Sequence, residues 1–238
     1  AWHANELGEV KAGDQVIVWG CGPVGLLCAF WAKFRGAARV ISIDSEEYRL
    51  EYARAKAGAE TIDRSKCDVV KTVQSMMPGG PDVCIDATGF RFATGLHKVE
   101  RAVGLETDTS EIVNEMITVC NKGMWRGFSS SSLRVTTATA RAVVHTARYA
   151  GGRISLIADY YTYTNHFNIG AFMEKGLMMR GGQVWVQKYW QQILSWIEEG
   201  RVDASWLVTH HMSLKDGDKA YTMFDKHEDR CLKILLHP

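Results

Sequence analysis

Gln15-Val16-Ile17-Val18-Trp19-Gly20-Cys21-Gly22-Pro23-Val24-Gly25 is the stretch on which the reading of this chain turns. Its β-branched first half predicts a strand, and its glycines fall in the spacing G-x-G-x-x-G. A helix follows, with Val24, Leu27, Cys28 and Trp31 at i, i+3, i+4 and i+7, one stripe expected to be buried. Glycine-rich turns are common, so the motif alone says little. Its surroundings give it weight: a second strand, Val40-Ile41-Ser42-Ile43, ends at Asp44, nineteen residues beyond Gly25, where a dinucleotide fingerprint places an acid roughly 20 residues on.

Each position then has a physical task. Gly20 permits a tight turn, Gly22 lets the main chain approach a pyrophosphate, and Gly25 lets helix and strand pack closely. Pro23 sits where its missing N–H costs nothing, and Val24 lies in the first turn, whose amides and dipole favour phosphate. Asp44 would accept both hydroxyls of an adenosine ribose and repel a 2′-phosphate, which predicts NAD over NADP. Arg49 is placed to reach the adenosine side, or is a solvated helix residue, with equal weight. Two rivals stay open. One is a βα unit that binds nothing; the other is an S-adenosylmethionine fold, disfavoured because Trp19 stands where methyltransferases carry an acid.

Working outward, short apolar runs alternate with helical patterns: a helix over Glu46 to Ala57 stopped by Gly58, a strand at Thr61-Ile62, a helix from Cys67 to Met76, and a strand at Val83 to Ala87. Helical pattern resumes over Arg91 to Val103 and from an N-cap at Ser110 to Cys120. Strands follow at Ile154 to Ala158 and Leu177 to Arg180. A helix at Lys188 to Glu199 places Trp190, Ile193, Leu194 and Ile197 on one face. The alternation predicts an α/β class, a doubly wound parallel Rossmann sheet with helices on both faces. Thereafter a strand at Leu207 to Thr209, a helix near Asp216 to Phe224 and a strand at Leu232 to Leu236 break the pattern. The expected division is a dinucleotide-binding domain over 1–184 and a segment of a second, incomplete domain over 185–238.

Residues 124 to 151 resist the scheme. No acid occurs between Glu115 and Asp159, while Arg126, Arg134, Arg141 and Arg148 lie among Ser, Thr and Ala. An irregular insert of this size is either functional or disordered in most compact domains. A phosphate-binding patch, a solvated loop and a segment wrongly joined into the sequence all stay open.

Bulk composition excludes other classes. With 28 basic and 27 acidic side chains in 238 residues, the net charge of +1 exerts no bulk pull toward nucleic acid or membrane. Any ligand is recognised locally. The six cysteines, 21, 28, 67, 84, 120 and 231, lack zinc or disulfide spacing and read as small buried thiols of a reducing compartment. With no apolar run long enough to span a bilayer and no signal pattern at the start, the expectation is a cytoplasmic protein. The chain starts without Met, directly on a helical pattern, which suggests that something upstream is missing.

Trp2-His3-Ala4, Glu6 to Val10 and Gly13-Asp14, followed by Val18 to Leu27, resemble the cofactor domain of zinc-dependent medium-chain alcohol dehydrogenases, especially the glutathione-independent formaldehyde dehydrogenase branch. Similar matches recur at Gly80 to Gly89, Gly170 to Leu177 and Val208 to His211, covering nearly all the chain outside the insert. The resemblance implies that Ala87 and Thr88 lie along the cofactor, that the backbone of Ile157 and Ala158 approaches the nicotinamide, and that Lys233 faces the pyrophosphate. It implies an alcohol or aldehyde substrate, hydride transfer to NAD, and a catalytic zinc held by three residues of a preceding domain. This sequence offers no zinc ligands: His210 and His211 are adjacent and would point to opposite faces of a strand, and the other histidines lack metal spacing. The insert interrupts the pattern just before the strand that should approach the nicotinamide. The sequence therefore reads as the NAD-binding part of an oxidoreductase, inactive alone, with oligomers possible as in relatives. The alternative is a non-catalytic dinucleotide-binding or partner-binding module using the basic insert. The tail from Arg201 is expected to leave apolar surface uncovered.

Overall fold

The computed structural model describes residues 1–90, 92–122 and 151–238. Six parallel strands form one sheet: β1 (Gln15–Trp19), β2 (Arg39–Asp44), β3 (Glu60–Asp63), β4 (Val83–Asp86), β5 (Arg153–Leu156) and β6 (Met178–Gly181). Their order is β3-β2-β1-β4-β5-β6, so chain direction across the sheet reverses between β1 and β4. That order is the expected doubly wound arrangement, with its switch point beside the glycine turn.

Strand alternation sorts side chains into two cores. Val16 and Val18 of β1 join Val40, Val83 and Ile85 beneath Leu26, Cys28, Ala29 and Leu50 of α2 (Pro23–Phe34) and α3 (Glu47–Ala57). Ile17 and Trp19 join Ile41, Ile43, Cys84 and Ile154 beneath Val73 of α4 (Val69–Met76) and Met116 of α6 (Glu111–Val119). An opening helix, α1 (Trp2–Leu7), packs beside α2, and in chain order α5 (Gly95–Ala102) follows β4 and precedes α6.

Several expectations need correction. Val24 is 46% exposed, and Leu26, Ala29 and Ala32 share the buried face with Cys28 and Trp31 instead. Ser110 is the N-cap residue of α6, as expected, but its side chain makes no capping bond: its hydroxyl donates to the Asn165 carbonyl, and Thr109 Oγ1 accepts the Glu111 amide. Cys67 is exposed, whereas the other five thiols are buried. After α7 (Ile169–Glu174) and β6, helix α8 (Val186–Glu198) turns Tyr189 inward and seats Trp196 against Trp2, Trp31 and Phe34. Trp190, Leu194 and Ile197 of the expected core stripe are exposed.

Leu207 lies in a short 3-10 turn, and the strand after it is β7 (His210–Ser213), paired in parallel with β8 (Ile234–His237). Helix α9 (Gly217–Asp225) joins them. Leu207 and Leu232 are buried in the same core as Val16 and Leu26, so this last segment is seated on the α2 and α3 face. Leu214, Tyr221, Phe224 and Leu235 stay exposed, as expected of an uncovered tail.

Apart from Gly151, the insert over 124–151 lies outside the described residues, but its flanks are fixed. The Gly152 amide donates to the Asn121 carbonyl at 2.9 Å, and the Arg153 amide to Asp82. β5 keeps unbroken register with β4 and β6 directly afterwards. Lys175 strengthens this corner: its Nζ donates to the carbonyls of Ile117, Thr118 and Cys120 at 2.9, 2.5 and 3.1 Å, closing the end of α6 where helical carbonyls lack partners. Lys175→Met is expected to lower unfolding free energy by about 1.5 kcal/mol, measured by urea denaturation. An unchanged midpoint would show that water serves these carbonyls equally well.

Candidate dinucleotide site

The carboxyl ends of β1, β2, β4 and β5 converge on the glycine turn. Gly20 has φ +92°, a left-handed conformation that favours glycine, and its amide donates to the Ile43 carbonyl at the end of β2. An added Cβ there would meet Thr88 Oγ1 at 2.9 Å. At Gly25 an added Cβ would lie 1.8 Å from the Gly20 carbonyl oxygen and 3.3 Å from Ala87 Cβ. These two glycines are required by the fold itself.

Gly22 differs. Its φ of −64° and ψ of 178° suit any residue, and an added Cβ would find nothing within 4 Å. It is the N-cap of α2, yet no side chain caps the helix, whose first residue is Pro23. The helix thus offers main-chain amides and the positive end of its dipole to open space, a setting that suits an anion.

Asp44 closes the other side. Its Oδ2 accepts the Cys21 amide at 2.6 Å, and Oδ1 accepts the amides of Ser45 and Glu46 at 2.8 and 3.0 Å. The carboxylate is therefore bonded to the glycine turn itself, with only 8% of the residue exposed. Burial pushes the Cys21 thiol up, the Asp44 carboxylate adds to this, and the Arg49 guanidinium opposes it, so Arg49 lies within electrostatic reach of the turn. Its Nε donates to Tyr48 Oη at 3.0 Å, and that hydroxyl donates to the Cys231 carbonyl.

Asp86, which the sequence reading did not single out, organises the far wall. It is fully buried; Oδ1 accepts the amides of Thr88 and Gly89 at 2.8 and 3.1 Å, and Oδ2 accepts the Tyr160 hydroxyl at 2.5 Å. Its carbonyl accepts the amides of Ile157 and Ala158 at 3.2 and 3.1 Å. One residue thus holds together the Ala87–Thr88 turn and the Ile157–Ala158 backbone. Its only sequence signal was a place at the end of an apolar strand, since Tyr160 lies 74 residues away.

Lys233 stands apart from these contacts. It lines an apolar cavity of about 260 Å³ with Ala220, Tyr221, Phe224, Ile234 and Leu236, between α9 and β8.

Burial raises the Asp86 carboxyl above its ordinary value, with the bonds from Tyr160, Thr88 and Gly89 pulling it down. A carboxyl with a raised folded pKa binds its proton more tightly folded than unfolded. Its stabilising contribution is therefore full in acid and lost as pH rises from about 4 through the raised value. Asp86→Asn keeps an oxygen for the two amides and carries no charge. Relative to wild type it is expected to gain stability between pH 4 and pH 7 in paired urea melts; a relative loss would show the buried charge to be a net stabiliser.

Comparison with known proteins agrees with this geometry. Residues 23–101 match the family model described as zinc-binding dehydrogenase. A zinc-type alcohol dehydrogenase-like protein of Schizosaccharomyces pombe is 38% identical over 98% of this chain and 49% of its own length. An uncharacterised zinc-type alcohol dehydrogenase-like protein of Bacillus subtilis, AdhB, is 29% identical over the whole chain and 56% of its length. Among solved structures, the alcohol dehydrogenase TADH of Thermus sp. ATN1 superposes with a TM-score of 0.68 at 25% identity, over 98% of this chain and 53% of that one. A structure from Escherichia coli CFT073, described as a short chain alcohol dehydrogenase complexed with NADH, gives 0.72 at 19% identity, over 99% and 55%. Over nearly its whole length the chain is thus similar to zinc-type alcohol dehydrogenase-like proteins. It spans about half the length of the relatives it matches.

The names of these relatives imply zinc for them. Among the described residues no group of three or more His, Cys, Asp or Glu is arranged to hold a metal. His210 and His211 point to opposite faces of β7, as their alternating burial shows. The described residues do not fit a catalytic zinc, and no step is assigned to one. No helix among them is long and apolar enough to cross a membrane.

Proposed function

We propose that this chain is the NAD-binding part of an alcohol or aldehyde oxidoreductase, with the glycine turn holding the pyrophosphate and Asp44 the adenosine ribose. The observation that carries the reading is Gly22: neither backbone conformation nor packing calls for glycine there, and a side chain would fill only the space in front of the helix amides. When bound, the nicotinamide supplies the hydride acceptor. The protein's part is to hold the diphosphate on the α2 amides, to orient the ribose with Asp44, and to fix the Ala87–Thr88 and Ile157–Ala158 walls through Asp86. Arg49 is assigned to the adenosine side and Lys233 to the pyrophosphate by resemblance.

Within the family, the motifs at residues 2–4 and 80–89 favour the formaldehyde dehydrogenase-like branch. We assign residues 1–184 to the cofactor domain and 185–238 to part of a catalytic domain. Exposed Trp185, Trp190, Leu194 and Ile197 support association between copies. Buried unpaired thiols fit a cytoplasmic setting.

NADH binding tests the reading. Saturable quenching of tryptophan fluorescence, confirmed by calorimetry, is expected, and its absence at millimolar NADH would end it. Asp44→Ala is expected to weaken NADH about tenfold, the loss of one charge-assisted hydrogen bond, and to narrow the preference over NADPH. An unchanged preference would mean that the ribose is held elsewhere.

A further inference from the structure

The outward face of the β7–β8 pair carries two histidines. In the parallel register His211 stands opposite Leu235, and Ser213 stands opposite His237. His211 and His237 are therefore diagonal neighbours on the exposed face of the ladder. Nδ1 of His211 lies 2.8 Å from Nε2 of His237, with ring centroids 5.1 Å apart and planes inclined by 14°. The nitrogens meet head on, one ring donating a proton to the lone pair of the other.

A divalent cation can take the place of that proton when both rings pivot to aim their lone pairs at one point, and both side chains are exposed enough to do so. Donor type and preferred geometry select the cation. With metal–nitrogen bonds of about 2.0–2.1 Å, ligands at right angles lie about 2.9 Å apart and tetrahedral ligands about 3.3 Å. Cu²⁺ and Ni²⁺ adopt the right-angled geometry with nitrogen donors, and Cu²⁺ binds such donors more tightly than Ni²⁺ or Zn²⁺; the 2.8 Å contact shows that the two nitrogens come close enough to share one ion.

We propose that His211 and His237 form a two-histidine site for a tetragonal divalent transition cation, Cu²⁺ in preference to Ni²⁺ and Zn²⁺, with water completing the shell. His210, on the opposite face and engaged with Thr209 Oγ1 and Asp229 Oδ2, takes no part.

The test uses the full chain carrying Cys67→Ser, so that the exposed thiol does not compete, stripped with chelator and titrated with Cu²⁺ at pH 7.5. Calorimetry and electron paramagnetic resonance should reveal a copper species with two imidazole nitrogens. That species should be lost in both His211→Ala and His237→Ala, each weakening it more than about tenfold, since even an outer-sphere partner contributes 10–100-fold. His210→Ala should keep it. Cys67, His211 and His237 are exposed and His210 is only partly buried, so circular dichroism should show all variants folded. Copper spectra and affinity unchanged in both single variants, or equally reduced in His210→Ala, would overturn the proposal.

Discussion

Gly25→Ala is expected to destabilise the protein by about 2 kcal/mol or more, whereas Gly22→Ala is expected to leave stability within about 0.5 kcal/mol and to weaken NADH more than about tenfold. The two glycines lie three residues apart at the head of the same helix, so the contrast isolates what each is for. At Gly25 the new methyl would stand 1.8 Å from the Gly20 carbonyl oxygen and 3.3 Å from Ala87 Cβ. Alanine forms helix better than glycine by about 1 kcal/mol, which offsets part of the overpacking cost, so a net loss means that the steric term wins. At Gly22 the backbone already suits alanine and the methyl enters open space. Only an occupant of that space would feel it. Urea melts with fluorescence titrations of NADH read both arms, and a Gly22→Ala protein that binds NADH as wild type does would leave this glycine without the ligand-based explanation on which the proposed function rests.

The same neighbourhood shows what the sequence could convey. Local period and spacing located β1, the turn, β2 and Asp44, because each depends on residues within a few positions of one another. The glycine spacing also drew attention to Asp44, whose carboxylate accepts the Cys21 amide of the turn. Period does not say which of two apolar faces turns inward. Helix α8 carries one face with Tyr189 and Trp196 and another with Trp190, Leu194 and Ile197, and contacts with Trp2 and Trp31 decided for the first. Val24 satisfied the α2 stripe by spacing, yet it sits at the mouth of the crevice, where no second layer covers it. Asp86 was invisible as an organiser because its partner Tyr160 lies beyond the insert, and only the parallel pairing of β4 with β5 brings the two together.

Replacing residues 123–150 with a three-residue Gly-Ser link is expected to raise unfolding free energy by about 2 kcal/mol and leave NADH affinity unchanged. The two ends of the insert are already joined through the bond between Gly152 and Asn121, and Asn121 is tied in turn to Pro81. A link of three residues has less closure entropy to overcome than one of 28, about three halvings of length at roughly 0.6 kcal/mol each. Gly151 must be kept, because its backbone lies against the Gly176 carbonyl, where an added Cβ would come within 2.0 Å. The anchors also fix the direction of the argument about function. Asn121, Gly152 and Arg153 lie where β4 and β5 begin, while Thr88 and Ala158 lie where those strands end, about 10 Å along the sheet. A basic patch that contributed to dinucleotide binding would have to reach around from the opposite edge. Weaker NADH binding by the shortened protein would show that it does so; lost stability would show that the excised residues contribute to folding; and the expected gain with unchanged NADH affinity would show that they serve neither folding nor the dinucleotide site.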